Sequence, residues 1–347
     1  RFRFYKSPGS NNEIFGATVK LTNTKGEIQF QHYHPQRGFL SGMEHVLHFG
    51  TGRETSIAKV EIMFPNQKII ELSNVSTNRE ITLYESNAIS KSSMAVKPKT
   101  IFKDISGAGK LRYSQKENDF IDFKREPLIP YKCSRKGPYY SRADVNGDGR
   151  EDLFIGGAAG YEGKLMLQQT TGSFTELKQA AFVSDKSFED MGALFFEADG
   201  DKDMDLYVVS GGAEFAAGSK LYQDRLYINN GKGVFTRSLK ALPTEGYNGS
   251  SVTAFDFDKD GDMDVFVGGH VVPGTFPKPD RSMLLQNNKG VFTDVTGLYA
   301  KALLNPGIVN QAVWADVDGD GKNELTISGE WMPVETFSFQ NGLLVKK

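Results

Sequence analysis

The chain has 347 residues, of which 39% are hydrophobic, so it can form several domains or one large β-domain and is not a disordered chain. Its single cysteine excludes an internal disulfide framework, and no run of about 18 apolar residues predicts a membrane span. The net charge of −2 hides an uneven distribution, because many acidic residues concentrate in four short stretches between residues 144 and 324.

Residues 1–87 consist of short apolar runs separated by turns. Alternating runs at 16–21 and 27–30 flank one polar turn, and runs at 60–64 and 68–72 flank another. A last run follows at 81–84. Such pairs of runs predict β-hairpins, so we expect a small β-sandwich or β-barrel domain here.

Four of the five histidines lie in this domain, and two of them are spaced like partners. His32 and His34 would share one face of a strand and could belong to a zinc site. The alternative is that they are structural histidines beside a turn at 37–39. The second interpretation is favoured, because no acidic third ligand is suitably spaced.

Four ordered blocks within residues 8–86 resemble the ASPIC/UnbV domain. They are Ile-Phe-Gly-Ala at 14–17, Arg-Gly-Phe-Leu-Ser at 37–41, His-Phe-Gly-Thr-Gly at 48–52 and the run ending in Phe-Pro-Asn at 64–66. The sequence departs from the family at Thr51, Phe64, Asn66 and Gln67. The family has no established catalytic residues, so the resemblance implies none.

Residues 88–135 are predicted to contain a polar, basic linker and the start of the propeller domain. Residues 88–143 contain thirteen Lys and Arg but only five Asp and Glu. A basic stretch can bind a polyanion such as nucleic acid or acidic glycan. Because the basic residues are scattered, a solvated connector is the favoured interpretation. We expect the lone Cys133 to be structural.

Residues 136–347 contain four similar units. Acidic loops begin at Asp144, Glu197, Asp256 and Asp316, at steps of 53, 59 and 60 residues. An apolar run precedes each loop, another follows it, and in the first three units two more strands can be recognised. Four strands per repeat are typical of a β-propeller blade.

We therefore predict an all-β chain: a small sandwich or barrel followed by a partial β-propeller of about four blades. The last blade is expected to be truncated, so that blades from the remainder of a parent chain would close the ring.

The loops and the segments after them resemble FG-GAP/VCBS repeats, which form the propellers of integrin α-chains. The first repeat carries Asp-Val-Asn-Gly-Asp-Gly-Arg-Glu-Asp-Leu at 144–153, followed by Phe-Ile-Gly-Gly-Ala at 154–158. Together with the ASPIC/UnbV-like domain, this arrangement resembles the cartilage acidic protein type of family. Segments 128–138 and 329–333 resemble its large bacterial members. The resemblance implies an extracellular, bacterial cell-surface or outer-membrane-associated location.

Each acidic loop has the donor pattern of a Ca²⁺ site, with side-chain oxygens at positions 1, 3, 5 and 9 and a backbone carbonyl at position 7. The predicted ligands are Asp144, Asn146, Asp148, Arg150 and Asp152; Glu197, Asp199, Asp201, Asp203 and Asp205; Asp256, Asp258, Asp260, Asp262 and Asp264; and Asp316, Asp318, Asp320, Lys322 and Glu324. Arg150, Asp203, Asp262 and Lys322 would each use the backbone carbonyl. Up to four Ca²⁺ ions are expected, since crowded protein oxygens suit Ca²⁺ better than Mg²⁺.

The four predicted sites are unequal. The second has Lys202 at position 6, where glycine would adopt a positive φ without strain. The first has only three carboxylates, and the fourth ends in Glu324 instead of aspartate. The third site, from Asp256 to Asp264, has the full pattern. We expect the ions to stabilise the strand-to-strand turns.

No Gly-x-Ser-x-Gly elbow, His-Glu-x-x-His motif or phosphate-binding loop is present, so the sequence predicts a protein that is not an enzyme. The favoured function is a calcium-stabilised extracellular or cell-surface binding or adhesion module, with a glycan or protein as ligand. Two alternatives stay open: a component of a polysaccharide-active enzyme, and a binder of acidic glycan or nucleic acid, of which nucleic acid is not favoured. Four aromatic residues could stack on glycans or pack between blades: Phe215, Tyr222, Tyr247 and Phe276.

Overall fold

The computed structural model describes residues 1–90, 100–102, 104 and 110–347, and it divides the chain into two compact units, Arg1–Lys103 and Asp104–Lys347. The part of the predicted linker at 91–99, 103 and 105–109 lies outside the described residues. Each unit is considered by itself below.

The first unit consists of short strands, as the sequence predicts. The strands are β1 (Phe2–Tyr5), β2 (Thr18–Thr22), β3 (Ile28–His32), β4 (Gln36–Gly38), β5 (Ser41–Gly42), β6 (Ser56–Met63), β7 (Lys68–Ser76), β8 (Ile81–Tyr84) and β9 (Ile89–Ser90), with a 3₁₀ helix at Glu85–Asn87. They form an antiparallel sheet in the order β3-β2-β6-β7-β9, a parallel pair β1-β8 and a hairpin β4-β5.

The core of this unit follows from the two-residue period of its strands. Val19 and Leu21 on β2 and Val60 and Ile62 on β6 are buried, whereas the residues between them are not. These side chains pack with Phe4 of β1 in a single apolar cluster. The alternation therefore places the five-stranded sheet over the β1-β8 pair.

The histidine pair does not form the strand-borne site that its spacing allowed. Strand β3 ends at His32, so His34 lies beyond it, and the two ring centroids are 6.1 Å apart. Among the described residues, the clusters of side chains that could hold a metal include no histidine. The expectation of a shared strand face is wrong, because the strand stops before the second histidine.

The second unit contains four antiparallel four-stranded sheets, each formed by consecutive strands. Blade 1 consists of β10 (Tyr140–Ala143), β11 (Asp152–Ile155), β12 (Lys164–Gln168) and β13 (Phe174–Leu177). Blade 2 consists of β14 (Asp190–Phe196), β15 (Asp205–Ser210), β16 (Arg225–Ile228) and β17 (Thr236–Ser238). Blade 3 consists of β18 (Gly249–Phe255), β19 (Asp264–Gly269), β20 (Met283–Asn288) and β21 (Val291–Asp294). Blade 4 consists of β22 (Ile308–Ala315), β23 (Glu324–Glu330), β24 (Glu335–Gln340) and β25 (Leu343–Lys346).

Apolar clusters join neighbouring blades, as expected for sheets that cannot bury their own faces. Tyr207 of blade 2 packs in one cluster with Val265 and Met283 of blade 3. Phe266 of blade 3 packs in another with Leu325 and Phe337 of blade 4. The all-β class and the partial propeller predicted from the sequence are confirmed.

The last blade is not truncated, contrary to the sequence-based expectation. Strands β24 and β25 complete its sheet, and a tight turn connects them. In that turn Asn341 has a φ of 50° and Gly342 a φ of 79°. Two successive positive φ values at Asn-Gly are the geometry of a type I′ hairpin turn, which closes two antiparallel strands.

The segment before blade 1 is not a free connector. The Arg125 guanidinium donates to the carbonyl oxygens of Ala213, at 2.8 Å, and Phe215, both in blade 2. The Glu126 carboxylate accepts from the backbone of Phe276 in blade 3 at 3.1 Å. From residue 110 onwards, this segment belongs to the propeller unit, and Arg125 is fixed there by protein acceptors.

Short helices fill the connections between strands. They are α1 (Ala180–Ser184), α2 (Thr296–Tyr299) and 3₁₀ helices at Asp122–Lys124, Cys133–Arg135, Lys220–Tyr222 and Lys301–Leu303. Cys133 is buried, which confirms its structural role, and burial raises the pKa of its thiol to about 12. Within the described residues, no helix is long and apolar enough to cross a membrane.

Candidate metal centres

The four acidic loops join the first strand of each blade to the second, as predicted. They are loop 1 (144–152), loop 2 (197–205), loop 3 (256–264) and loop 4 (316–324), and residues in each are numbered below from position 1 to position 9.

The acid at position 1 shapes each loop by accepting backbone N–H groups. Asp144 Oδ1 accepts from Gly147 at 2.8 Å, and Asp144 Oδ2 accepts from Gly149 at 2.7 Å. Asp316 repeats both contacts in loop 4. Such Asx-turn bonds curl the backbone around the carboxylate, so that the side chains at positions 3 and 5 lie beside it.

Positions 4 and 6 both have a positive φ in every loop. Loops 1 and 4 have glycine at both positions, with φ between 74° and 83°. Loop 2 has Lys202 at position 6 with a φ of 73°, and loop 3 has Lys259 at position 4 with a φ of 64°. Loop 3 has the expected glycine at position 6, Gly261, but its position 4 carries the same kind of strain as position 6 of loop 2, which the sequence analysis did not predict.

The acid at position 9 is a buried anchor in each of the first three loops. Asp205 Oδ2 accepts from Ala198 N at 3.1 Å, and its Oδ1 accepts from Asn229 N at 2.8 Å. Asp264 makes the same two contacts, with Phe257 N and Asn287 N. Position 9 thus ties the loop to the third strand of its own blade.

Two asparagines that the sequence analysis did not select join neighbouring loops. Asn229 Nδ2 donates to Val145 O of loop 1 at 2.8 Å and to Met204 O of loop 2 at 3.2 Å. Asn287 Nδ2 connects loops 2 and 3 in the same way. A usable signal existed, because an Asn-Asn pair lies at the end of the third strand in both blades, with a glycine one or two residues after it.

The carboxylates converge in three of the four loops. In each, three ligand atoms lie within 4.8 Å of one another, in the groups Glu197, Asp199 and Asp205; Asp256, Asp258 and Asp260; and Asp316, Asp318 and Asp320. Three like charges at that separation repel one another unless a cation lies between them. The residues of loops 2, 3 and 4 therefore fit a hard cation such as Ca²⁺, which takes carboxylate oxygens as ligands.

Loop 1 differs, because a side chain already supplies positive charge. The Arg150 guanidinium bonds to Asp148 Oδ2 and donates from Nε to Gln168 O at 2.9 Å. Burial raises the pKa of Asp144, but its backbone donors outweigh this effect and hold the pKa below its usual value. Loop 1 thus has less uncompensated negative charge than loops 2 and 3.

Loop 4 also has cationic neighbours. Lys347 Nζ contacts Asp318 Oδ2 and lies 3.3 Å from Glu324 Oε1, while Lys322 Nζ lies 3.5 Å from Asp320. The bond with Lys347 lowers the pKa of Asp318. These lysines are exposed, and Arg150 in loop 1 is additionally fixed by its bond to Gln168 O, so the lysines compete with a cation less firmly.

In loops 2 and 3, the buried acid at position 9 has a raised pKa. Burial, with smaller contributions from Asp199 and Asp201, raises the pKa of Asp205 to about 7, although two backbone donors oppose the shift. Asp264 has a pKa of about 7 for the same reasons. A bound divalent cation would favour the ionised carboxylates and reverse this shift.

The four aromatic residues proposed for glycan stacking fall into two groups. Phe215 and Tyr222 contact each other, whereas Tyr247 and Phe276 each contact a different side chain. Tyr222 is buried, and Phe215 meets its ring edge-on at 5.7 Å, so this pair is part of the packing. Tyr247 lies beneath the Arg281 guanidinium at 5.5 Å. Phe276 is half-buried and supports the exposed ring of Trp331, at a centroid distance of 6.3 Å.

Comparison with known families gives two matches along the chain. Residues 7–90 match the ASPIC and UnbV family, and residues 144–208 and 198–267 match the FG-GAP-like repeat. No curated protein sequence matches the chain. The chain therefore has an ASPIC/UnbV domain followed by FG-GAP-like repeats, as its motifs predicted. FG-GAP repeats are typical of extracellular, adhesion-type propellers and often bind calcium.

Proposed function

We propose that the chain is a calcium-stabilised binding or adhesion module of an extracellular or bacterial cell-surface protein, with a glycan or protein as ligand. The observation that carries the proposal is the recurrence of converging carboxylates at the same turn in blades 2, 3 and 4. Because each turn joins the first two strands of its blade, a cation there would stabilise the scaffold that presents the ligand-binding surface.

The residues that would hold Ca²⁺ are the acids at positions 1, 3 and 5 in loops 3 and 4 and at positions 1, 3 and 9 in loop 2. The carbonyl at position 7 and the remaining acid of positions 5 and 9 would be further donors. The ion would neutralise these carboxylates and take no part in chemistry. Site affinities on the order of 10⁻⁴–10⁻³ M would suit a protein that functions in the calcium concentrations found outside cells.

Thermal unfolding with excess calcium, excess magnesium and EGTA tests the calcium part of the proposal. We expect calcium to raise the melting temperature of the propeller unit more than magnesium does. The double variant Asp258→Asn/Asp260→Asn should lose part of this increase, whereas the exposed control Asp119→Asn should keep it. Equal melting temperatures in calcium and EGTA would contradict calcium stabilisation.

A glycan array probed with and without chelator tests the binding part. Calcium-dependent retention of intact glycans would support a binding module. Release of shorter products would favour the polysaccharide-active alternative, and binding that disappears steeply with added salt would favour the polyanion alternative.

A further inference from the structure

A fixed ion-pair cluster lies where the segment before blade 1 meets blades 3 and 4. Tyr131 Oη donates to both carboxylate oxygens of Glu330 at 2.5 Å, and Asn310 Nδ2 donates to Oε1 at 3.0 Å. Lys136 Nζ lies 3.8 Å from the same oxygen. The carboxylate is therefore held by residues of two distant segments, yet 29% of its side chain remains exposed.

Lys136, which forms the ion pair with Glu330, is also held in place by several contacts. Lys136 Nζ is 2.9 Å from His270 Nε2 and 3.3 Å from Asn310 Oδ1, and it lies 4.6 Å from the centre of the Tyr131 ring. His270 is fully buried, and burial followed by the nearby ammonium lowers its pKa to about 3, so the imidazole is neutral and accepts from Lys136. The cluster thus contains one positive and one negative charge, both partly exposed.

A large aromatic side chain follows Glu330 in the chain and contacts the apolar cluster on which Tyr131 packs. Trp331 follows Glu330 directly, 72% of it is exposed, and its backbone φ is 58°. Its ring rests edge-on against Phe276, which packs in the same apolar cluster as Tyr131. A left-handed conformation is strained for a tryptophan, and the exposed indole gains little burial in return. Strained residues of this kind concentrate at binding sites.

We propose that Trp331, Glu330 and Lys136 form a binding site for a neutral sugar ring of a glycan. A pyranose presents an apolar C–H face, which the exposed indole can cover, and a rim of hydroxyl groups that both donate and accept hydrogen bonds. Glu330 supplies an acceptor and Lys136 a donor in fixed positions, as specific ligand sites require. An anionic sugar would meet Glu330 and a cationic one Lys136, so the balanced pair favours a neutral ring.

This inference rests on the proposed function, since it names the ligand class and the surface of the same binding module. Affinity electrophoresis in gels containing calcium provides the test, with neutral polysaccharides of glucose, galactose, mannose or xylose as probes. Alginate and polygalacturonate serve as anionic probes. We expect at least one neutral polysaccharide to retard the wild-type chain, and Trp331→Ala and Glu330→Gln to weaken this binding about tenfold, equivalent to about 1.4 kcal/mol.

The exposed Tyr140 of blade 1 offers a matched aromatic control, and Tyr140→Ala should bind like the wild type. Trp331→Phe should keep part of the affinity, because a smaller aromatic ring still covers a sugar face. Each variant should retain the calcium-dependent melting temperature of the wild type, which shows that it is folded.

Three results would overturn the inference. Neutral polysaccharide binding that is unchanged in Trp331→Ala would place the site elsewhere and leave the proposed function intact. Retardation by the anionic polymers alone would contradict the neutral ligand. If no probe retarded the chain but its melting temperature still depended on calcium, the sugar ligand would be contradicted and the calcium-stabilised module would stand. If the melting temperature did not depend on calcium either, both proposals would be contradicted.

Discussion

The side-chain amide of Asn287 donates to the carbonyl oxygen of Ala198 at 2.8 Å, and this bond joins the third strand of blade 3 to the acidic loop of blade 2. The same amide donates to Met263 O in the loop of its own blade at 3.1 Å. One buried asparagine therefore fixes the distance between two candidate metal loops, so an ion bound in either loop stabilises a turn that is tied to its neighbour.

Asn287→Ala should lower the free energy of unfolding of the propeller unit by about 1–3 kcal/mol, because it removes the donor from two buried carbonyl groups. Its Oδ1 also accepts from Gly290 N at 2.9 Å, and this contact would be lost too. Urea denaturation in excess calcium measures the change. Asn288→Ala at the exposed neighbouring position should shift stability by less than about 0.5 kcal/mol. Equal effects of the two substitutions would contradict the role given to the buried amide.

Lys259→Gly and Lys202→Gly should each stabilise the protein by up to about 1 kcal/mol, because glycine adopts a positive φ without strain. The gain should be present with calcium and with EGTA, since it concerns the backbone of the loop. Lys240→Gly provides the control, because Lys240 is exposed and is not among the residues with positive φ. There the greater freedom of the unfolded chain should make glycine neutral or destabilising.

Arg150→Ala should increase the stabilisation that calcium gives to loop 1. The substitution removes the guanidinium that pairs with Asp148, so this carboxylate becomes free to meet a cation. The difference in melting temperature between calcium and EGTA should be larger in the variant than in the wild type. Arg142→Ala breaks an exposed pair with Glu151, which is at position 8 of the loop and is not a predicted ligand, so this variant should leave that difference unchanged. A smaller difference in Arg150→Ala would show that loop 1 does not bind the ion.

The sequence predicts the blade order and the acidic loops well, because both depend on local spacing. The positive φ at position 4 of the loops was not predicted, because Lys259 stands at this position in loop 3 where the other loops have glycine. The last hairpin was missed although its Asn-Gly turn is a strong local signal. In contrast, the bond between Arg125 and Ala213 joins residues 88 apart, and no local pattern reveals such a contact. The contacts that attach the start of the propeller to blades 2 and 3 could therefore not be predicted from the sequence.

Glu189 provides a test at a buried acid outside the metal loops. Burial first, and then the nearby carboxylates of Glu214, Glu117 and Asp190, raise its pKa to about 9, although the backbone N–H of Ala159 opposes the shift. An unfolded glutamate titrates near pH 4.3. Between these values the folded protein binds one more proton than the unfolded chain, so the contribution of Glu189 to stability is complete below about pH 4 and is lost progressively as the pH rises to about 9.

Glu189→Gln should therefore flatten this fall, because the amide remains neutral at every pH and can still accept from Ala159. Relative to the wild type, the variant should gain stability with rising pH by at most about 1.4 kcal/mol per pH unit. Urea denaturation at pH 6 and pH 8 in excess calcium measures the slope. Glu151→Gln, at an exposed position, should keep the wild-type slope. If Glu189→Gln also kept it, the carboxyl group would be ionised in the folded protein at neutral pH, and water or a cation would have to reach it between blades 1 and 2.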